Sequence, residues 1–284
     1  MNTQLAAVQM VSGPDVAANL RAAGRLLAEA AAAGARLAVL PEYFCLMGHR
    51  DDDKLDAAEA PGQGPIQQFL SEAARRHGLW LVGGTLPVRS GEARRVFNRC
   101  TVWAPDGGLA AHYDKIHLFA FEQGDERYDE GRVLRAGDAP VALQAGALRL
   151  GLSVCYDLRF PELYRALMTP PCDLLSVPAA FTVPTGRAHW ELLLRARAVE
   201  NQCYVIAAAQ GGQHPSGRRT WGHSLIVDPW GEVLAVRPEG EGVVLAELDP
   251  ARLADLRRRL PALAHRRPAR DFGGRPAGPV PGPP

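Results

Sequence analysis

The sequence predicts an α/β protein built as a four-layer αββα sandwich, with two mixed sheets inside and helices outside. Two observations carry this prediction. Apolar runs of strand length alternate with segments of helical character, which is the rhythm of layered α/β folds. Each half of the chain then closes with a hairpin signal, so the two halves follow one plan. We therefore expect two similar sheets that pack against each other.

The first half begins with three strands that alternate with two helices. The helical segments are each followed by a glycine, Gly34 and Gly78, at a position where helices commonly stop. The turn sequence PDGG at residues 105–108 separates two further apolar runs and predicts a hairpin. The predicted strands are residues 5–10, 36–40, 79–82, 96–103 and 109–113, and the predicted helices are residues 16–33 and 65–77.

A charged stretch without periodicity, residues 119–139, follows the first half, and we interpret it as a functional loop. The second half repeats the alternation, and its hairpin turns through DPWG at residues 228–231. Its predicted strands are residues 148–154, 173–177, 203–209, 224–227, 233–236 and 243–248, and its predicted helices are residues 161–168, 189–201 and 250–260.

The composition fits one globular domain. The chain has 284 residues, of which 47% are hydrophobic, and this is enough to bury a substantial core. We expect a single domain over residues 1–268. Residues 269–284 are dominated by proline and glycine, and we expect them to form an extended or disordered tail.

The charge balance and the cysteines exclude several classes of protein. A formal net charge of +1 provides no field that would attract nucleic acid or an anionic membrane. No apolar run approaches the ~18 residues that span a bilayer, and the N-terminus lacks a secretory signal. The cysteines are scattered and odd in number, so neither a zinc site nor a disulfide framework is indicated. We expect a soluble protein in a reduced, cytoplasmic compartment.

Two polar residues stand where predicted strands end, the positions at which α/β sheets build their sites. Glu42 follows an apolar strand, and burial there would raise the pKa of its carboxyl toward the range of a general base. Lys115 closes the first hairpin and could supply a fixed positive charge. Taken alone, each also fits a solvated surface side chain, which is the commoner role. We interpret the neighbouring His117 as a structural residue.

Cys155 ends a predicted strand directly before a turn and a helix. That layout exposes a nucleophile and aims backbone N–H groups at it, as in the nucleophile elbow of other hydrolases. The alternative is a buried cysteine that acts as a small hydrophobic residue. We interpret the other four cysteines in that way: Cys45, Cys100, Cys172 and Cys203.

In the order PEYF, YDKIHLF and VCYDLRFPELYR, these segments resemble the Glu–Lys–Cys signature of the nitrilase superfamily of carbon–nitrogen hydrolases. The likeness continues through residues 179–191, LLRARAVENQCYVIAAAQ and GHSLIVDPWGEVLA, and covers nearly all of residues 5–268. Within the superfamily, the chain is most similar to the deaminated glutathione amidases. That similarity is carried by AAAQ at residues 207–210, by Gly212, His214 and Arg218, and by the ending LRRRLPALAHRRP.

The resemblance implies a thioester mechanism. Cys155 would attack the amide carbonyl, while Glu42 would take the thiol proton and deliver it to the leaving nitrogen. Lys115 and the backbone N–H of Tyr156 would stabilise the oxyanion. Because nearby carboxylates would raise the pKa of the thiol, we expect it to rest protonated. No metal or organic cofactor is implied.

The resemblance also implies a second glutamate between the lysine and the cysteine. The candidates are Glu122, Glu126 and Glu130, and we choose Glu130 for its position before the turn at residues 137–138. Basic side chains would suit a substrate that carries carboxylates. Arg159, Arg187 and Arg218 are candidates, although ion pairs explain them equally well. The expected substrate-binding residues are Tyr156, Arg159, Phe181, Thr182 and Arg218.

The implied substrate is a small-molecule amide, deaminated glutathione, which would be split into 2-oxoglutarate and cysteinylglycine. One alternative is an omega-amidase that acts on 2-oxoglutaramate. An alternative of another class is a nitrilase-fold binding protein without turnover, since a fold does not by itself imply an activity. A redox-thiol protein is disfavoured because no resolving cysteine lies near Cys155 in the sequence.

The resemblance further implies a homodimer. The expected contacts involve the helix after the nucleophile and the helix that begins near His189. Tyr164, Trp190 and Leu194 could supply apolar contacts between the subunits, although packing inside one subunit explains them equally well.

Overall fold

The computed structural model describes the backbone of residues 2–123 and 126–267, and the side chains of these residues apart from 123–128. The predicted tail, residues 269–284, lies outside this range. The first half contains β1 (Thr3–Gln9), α1 (Val16–Ala32), β2 (Leu37–Val39), α2 (Asp53–Asp56), α3 (Pro65–His77), β3 (Trp80–Val82), β4 (Leu86–Glu92), β5 (Arg95–Trp103), β6 (Leu109–Asp114), β7 (Ala120–Gln123) and β8 (Glu126–Asp129).

The second half has a comparable set of elements. It contains β9 (Ala142–Ala145), β10 (Leu148–Leu152), α4 (Pro161–Ala166), β11 (Leu174–Ser176), α5 (Val183–Asn201), β12 (Tyr204–Ala207), β13 (Gly211–Gln213), β14 (Arg219–Trp221), β15 (Ser224–Val227), β16 (Val233–Arg237), β17 (Gly242–Leu248) and α6 (Pro250–Arg259). Two short 3₁₀ helices, Glu130–Arg132 and Cys155–Arg159, carry residues of the candidate site.

Two mixed sheets form the centre of the molecule. In the first sheet the strand order is β17-β1-β2-β3-β5-β4, and β6 also pairs with β5. In the second sheet the order is β16-β15-β12-β11-β10-β9. Parallel pairs stand at the middle of each sheet, and antiparallel strands complete the edges. Each half of the chain contributes most of one sheet, as the repeated sequence pattern predicts.

The alternation of side chains along β1 explains the layers. Leu5 and Ala7 point into a core shared with Leu150 and Leu174 of the second sheet. The intervening residues of β1 point to the opposite face, where they pack with apolar side chains of α1 and α3. Strands buried on both faces in this way read as continuous apolar runs. The predicted αββα sandwich is therefore confirmed.

The ends of the helices follow from local chemistry. The Asp15 side chain caps α1 by accepting a hydrogen bond from the backbone N–H of Ala18. Pro65 opens α3, where its missing N–H costs nothing, and Gly78 ends the helix in the left-handed conformation. Across the described residues, no helix has the length and apolarity required to cross a lipid bilayer.

Some sequence-based expectations were wrong. Residues 119–139 are not a plain loop, because β7 and β8 form an antiparallel ribbon that leads into the 3₁₀ helix at Glu130. The helix predicted at residues 189–201 begins earlier, at Val183. Pro184 lies in the first helical turn of α5, where proline is tolerated. The sequence PTG at residues 184–186 resembles a loop when it is read alone. The strands β4, β9, β13 and β14 were not predicted.

The residues suggested for the subunit contact belong to the core. Tyr164, Trp190 and Leu194 are each at most 1% exposed, and they pack inside the shared core of the two sheets. Of the two explanations open from the sequence, packing within one subunit is therefore the right one. The large hydrophobic residues exposed on α5 are Leu192 and Val199.

Candidate active site

The four expected catalytic side chains meet beyond the strand ends of the two sheets. Glu42 follows β2, Lys115 follows β6 directly, and Cys155 follows β10. The ammonium nitrogen Nζ of Lys115 lies 2.9 Å from Oε1 of Glu42 and 2.8 Å from Oε2 of Glu130. One buried ammonium group thus stands between two carboxylates, next to the cysteine.

Cys155 sits on a strained turn. Its φ angle is 48°, in the left-handed region that a side chain with a Cβ atom rarely adopts, at a cost of about 1–3 kcal/mol. The backbone N–H donates to the carbonyl oxygen of Pro178 at 2.9 Å and holds the turn against the neighbouring strand end. Glu42 lies close enough to the sulfur for its charge to raise the pKa of the Cys155 thiol, and both residues line the same pocket. The first acid and the nucleophile are therefore neighbours.

A buried carboxylate, Asp157, keeps this turn in place. Its Oδ2 atom accepts from the backbone N–H of Val154 at 2.8 Å and from the hydroxyl of Tyr113 at 2.7 Å. Its Oδ1 atom lies 2.7 Å from Nδ1 of His117, whose ring stacks on Phe160. Asp157 therefore ties the turn of Cys155 to the segment that carries Lys115. His117 serves this support, which is the structural role expected of it.

Glu42 is held on both its side chain and its backbone. Oε1 accepts from Nδ2 of Asn98 at 2.9 Å, in addition to the ammonium group of Lys115. The backbone carbonyl of Glu42 accepts from Nε2 of Gln210 at 3.2 Å. The side chain is 1% exposed. Its position is thus determined by the protein and not by solvent.

Burial determines the protonation states of Glu42 and Cys155, the two groups that would exchange a proton. Burial raises the pKa of the Glu42 carboxyl, against the opposing charge of Lys115, and Glu130 raises it further. Burial also raises the pKa of the Cys155 thiol well above its ordinary value, and the charge of Glu42 adds to this. The sulfur therefore rests as a thiol, next to a carboxylate that is a better base than a solvated one.

Lys115 and Glu130 form the charged part of the site. Burial alone would lower the pKa of Lys115, but the charges of Glu130 and Glu42 outweigh it and raise the pKa well above its ordinary value. Burial would raise the pKa of Glu130, but Lys115 and three hydrogen bonds lower it. Those bonds come from Lys115, from the backbone N–H of Phe119 at 2.7 Å and from the hydroxyl of Tyr43 at 2.6 Å. Both groups are ionised at neutral pH.

A pocket opens in front of the sulfur. The guanidinium of Arg159 lies 5.8 Å from the ring centre of Tyr156 and 5.4 Å from that of Phe181, in cation–π contact. All five residues expected to bind substrate line this pocket. Its lining is Glu42, Tyr43, Phe119, Glu130, Cys155, Tyr156, Arg159, Ala180, Phe181, Thr182, Thr185 and Arg218.

Of the three candidates for the second glutamate, the structure brings Glu130 to the site. Glu122 is exposed on β7, and the side chain of Glu126 lies outside the described part of the chain. Arg187 packs over the ring of Trp221 and does not line the pocket. The four remaining cysteines are buried, as expected. Within the described residues, no group of three or more histidine, cysteine and acidic side chains could hold a metal ion.

Several residues of the site were not predicted from the sequence. Tyr43 looked like an apolar neighbour of Glu42, yet it has a φ of 57° and its hydroxyl reaches Glu130. Asn98 lies within a strand, where nothing in its neighbourhood indicates a contact with Glu42. Thr185 lies in the first turn of α5, a segment that was not predicted to be helical. Its Oγ1 atom lies 2.8 Å from Oγ1 of Thr182. A signal existed only for Tyr43, which directly follows the candidate acid.

Comparison with known proteins identifies the family of the chain. A family model described as carbon-nitrogen hydrolase matches residues 4–258. A deaminated glutathione amidase of Synechocystis sp. is 44% identical over 265 residues, covering 92% of this chain and 97% of that protein. An omega-amidase of Danio rerio is 39% identical over 265 residues, covering 93% of this chain and 94% of that protein.

The fold comparison agrees as well. The crystal structure of the Caenorhabditis elegans NitFhit protein has a TM-score of 0.87 and 38% sequence identity. The match covers 94% of this chain and 65% of that one, so the chain spans about two thirds of the longer fusion protein. Because the family model matches residues 4–258 and a relative that is 44% identical is covered almost over its whole length, the chain belongs to the carbon–nitrogen hydrolase family.

Proposed function

We propose that the chain hydrolyses the amide bond of deaminated glutathione through a thioester on Cys155, releasing 2-oxoglutarate and cysteinylglycine. The observation that carries the proposal is the position of Glu42 and the Cys155 thiol in one pocket, beside a lysine that two carboxylates hold. The arginines Arg159 and Arg218 line the pocket and suit an anionic substrate. The similarity to the Synechocystis amidase supports the choice of amide.

The first half-reaction forms the acyl-enzyme. Glu42 removes the proton of the Cys155 thiol as the sulfur attacks the amide carbon. Lys115 has three N–H donors, and its contacts with Glu42 and Glu130 use two of them. The third, with the backbone N–H of Tyr156, would bind the oxyanion. Glu42 then gives its proton to the amide nitrogen, the C–N bond breaks, and the amine leaves.

The second half-reaction regenerates the enzyme. Glu42 takes a proton from a water molecule as the water oxygen attacks the thioester carbon, and the oxyanion forms in the same place. When the C–S bond breaks, the proton returns to the sulfur, and the carboxylic acid departs. Because Glu42 ends each half-reaction as a carboxylate, one base serves both. Glu130 takes no proton in this scheme and holds Lys115 in position.

A comparison of two substrates tests the choice of amide. The alternative is an omega-amidase activity on 2-oxoglutaramate, which the Danio rerio relative favours. We expect kcat/KM for deaminated glutathione to exceed that for 2-oxoglutaramate by about tenfold or more, a difference of about 1.4 kcal/mol in transition-state binding. Cysteinylglycine and ammonia are measured as the respective products. The opposite ranking would assign the omega-amidase activity, and hydrolysis of neither compound would favour the binding-protein alternative.

The pH dependence of kcat/KM should follow the shifted groups. Protonation of Glu42 removes the base, so the rate should fall on the acid side at a pH above the ordinary carboxyl value of 4.5, because its pKa is raised. The alkaline fall should lie above the ordinary thiol value of 9.0, because the pKa of Cys155 is raised well above it. A pH profile of kcat/KM measures both. An acid limb at or below 4.5 would contradict the role of Glu42.

Tyr43→Phe should lower kcat by about 3- to 30-fold with a smaller effect on KM, because it removes a charge-assisted hydrogen bond that positions Glu130 and, through it, Lys115. Steady-state kinetics measure the split between kcat and KM. Tyr204→Phe is the matched control, since it removes a tyrosine hydroxyl that contacts the backbone of Asp249 outside the pocket. Equal losses of kcat in the two variants would reject a positioning role for Tyr43.

We also propose a cytoplasmic location and a homodimer. The five described cysteines are all buried and outside any disulfide, which supports the first. For the second, the outer face of α5 presents Leu192 and Val199, which are 68% and 51% exposed. Sedimentation velocity of the wild type and of Leu192→Glu tests the dimer. We expect the wild type to sediment as a dimer and the variant to shift toward the monomer.

A further inference from the structure

A second cleft adjoins the catalytic pocket. It has a volume of about 300 Å³, and it shares two lining residues, Tyr43 and Arg218, with the pocket in front of Cys155. The hydroxyl end of Tyr43 contacts Glu130, while the face of its ring is turned to Lys54. Tyr43 therefore forms a wall between the two spaces. We call the second space the distal cleft; its lining is Tyr43, Leu46, Met47, Gly48, His49, Arg50, Asp51, Lys54 and Arg218.

The distal cleft carries an excess of positive charge. Arg50, Lys54 and Arg218 line it, against one acidic lining residue, Asp51, and against Asp53, which forms an ion pair with Arg50 beside the cleft. The lining also contains two apolar side chains, Leu46 and Met47. Positive charges around a partly apolar cavity are the features that bind an organic anion and fix its orientation.

Lys54 is the most buried of these cations. Its side chain is 11% exposed, and its ammonium group lies 5.1 Å from the ring centre of Tyr43. Asp51, which is 55% exposed, lies 3.1 Å from the same ammonium group. A lysine has three N–H donors, and the contact with Asp51 uses one. The group can thus donate to a bound carboxylate while it keeps both present contacts.

The choice of lysine at this position is unusual for the chain. Of its 32 basic residues, only Lys54 and Lys115 are lysines, and both stand beside Tyr43 or its partner Glu130. A lysine is a compact point charge on a flexible stem, whereas arginine presents a broad planar fork. The chain therefore has its two lysines near Tyr43, which separates the two pockets: Lys54 lies over the ring, and Lys115 binds Glu130, the partner of the hydroxyl.

We propose that the distal cleft binds the terminal carboxylate of the amine that leaves the substrate, with Lys54 and Arg50 as its main contacts. The inference rests on the proposed function, because deaminated glutathione carries one carboxylate on the acyl part and another on the glycine of the leaving dipeptide. The acyl carboxylate has Arg159 within the catalytic pocket. The second carboxylate needs a cationic site farther out, and the distal cleft provides it through the shared residues Tyr43 and Arg218.

The distal cleft would therefore act as a determinant of specificity. An amide whose leaving group is ammonia ends within the catalytic pocket and gains nothing from the distal cleft. An amide with a long anionic leaving group fills both spaces. The binding free energy of the tail then favours the peptide-like substrate over the primary amide.

The experiment compares deaminated glutathione with its C-terminal carboxamide, which has the same shape without the terminal charge. We expect wild-type kcat/KM to favour the acid by about tenfold or more, the scale of one charge-assisted hydrogen bond. In Lys54→Met the preference should fall to about threefold or less, and in Arg50→Gln, whose side chain is 74% exposed, to an intermediate value. Arg21→Gln, on the exposed face of α1, is the matched control and should keep the wild-type ratio.

The ratio is internal to each variant, so partial misfolding of Lys54→Met would lower both rates and leave the ratio intact. Equal kcat/KM values for the acid and the carboxamide in the wild type would overturn the proposed role of the distal cleft, while leaving the proposed function in place. A wild-type preference for the acid in both Lys54→Met and Arg50→Gln would also overturn that role. If the wild type hydrolyses neither compound, the proposed function fails, and the assignment of the cleft fails with it.

Discussion

Cys155→Ala should lower kcat for amide hydrolysis by ~10⁴-fold or more, since it removes the atom that forms the acyl-enzyme. The substitution deletes one buried sulfur and leaves the backbone bond from residue 155 to Pro178 intact. We therefore expect the melting temperature to change by no more than a few degrees. Steady-state kinetics and thermal unfolding of the same preparation measure both effects.

The matched control for this variant is Cys203→Ala. Cys203 is fully buried in the shared core, away from the pocket lining, and burial raises the pKa of its thiol. Its removal should cost some stability through a small cavity but should leave kcat near the wild-type value. Substantial turnover in Cys155→Ala, or a comparable loss of turnover in Cys203→Ala, would contradict the assignment of the nucleophile.

Lys115→Met should lower kcat by at least ~10²-fold, the usual scale for one oxyanion donor. It should also lower the free energy of unfolding, by about 3–5 kcal/mol, because two buried carboxylates lose the cation between them. Single-turnover kinetics and urea unfolding measure the two effects. The loss of stability complicates the single variant, since a partly unfolded enzyme is also inactive.

The double variant Lys115→Met/Glu130→Gln separates the two effects. A neutral amide at position 130 removes the repulsion from Glu42, so part of the lost stability should return. Catalysis should not return, because no cation faces the oxyanion. Recovery of kcat together with stability would mean that Lys115 supports the fold alone.

Much of this site was predictable because its residues follow strands. Glu42, Lys115 and Cys155 come directly after apolar runs, and strand ends of one sheet sandwich meet at a common edge. The local sequence was therefore enough to predict both the strands and the site residues at their ends. The same holds for α3, whose opening proline and closing glycine mark the observed bounds.

The remainder depends on contacts between distant segments. Asn98 reaches Glu42 across 56 positions of the chain, and Tyr43 reaches Glu130 across 87. No local pattern encodes such pairs, because they arise only once the first sheet has formed, in which β3 separates β5 from β2. The ribbon of β7 and β8 was missed for a related reason: its charged residues lack the alternation that a half-buried strand shows.

The measurement that tests the central claim most directly is mass spectrometry of the enzyme, quenched in acid during turnover of deaminated glutathione and digested with a protease. We predict that the peptide containing Cys155 carries the 2-oxoglutaryl group as a hydroxylamine-sensitive thioester. We also predict that Glu42→Gln accumulates little of it. An acyl group on any other residue, or turnover without acylation of Cys155, would contradict the account.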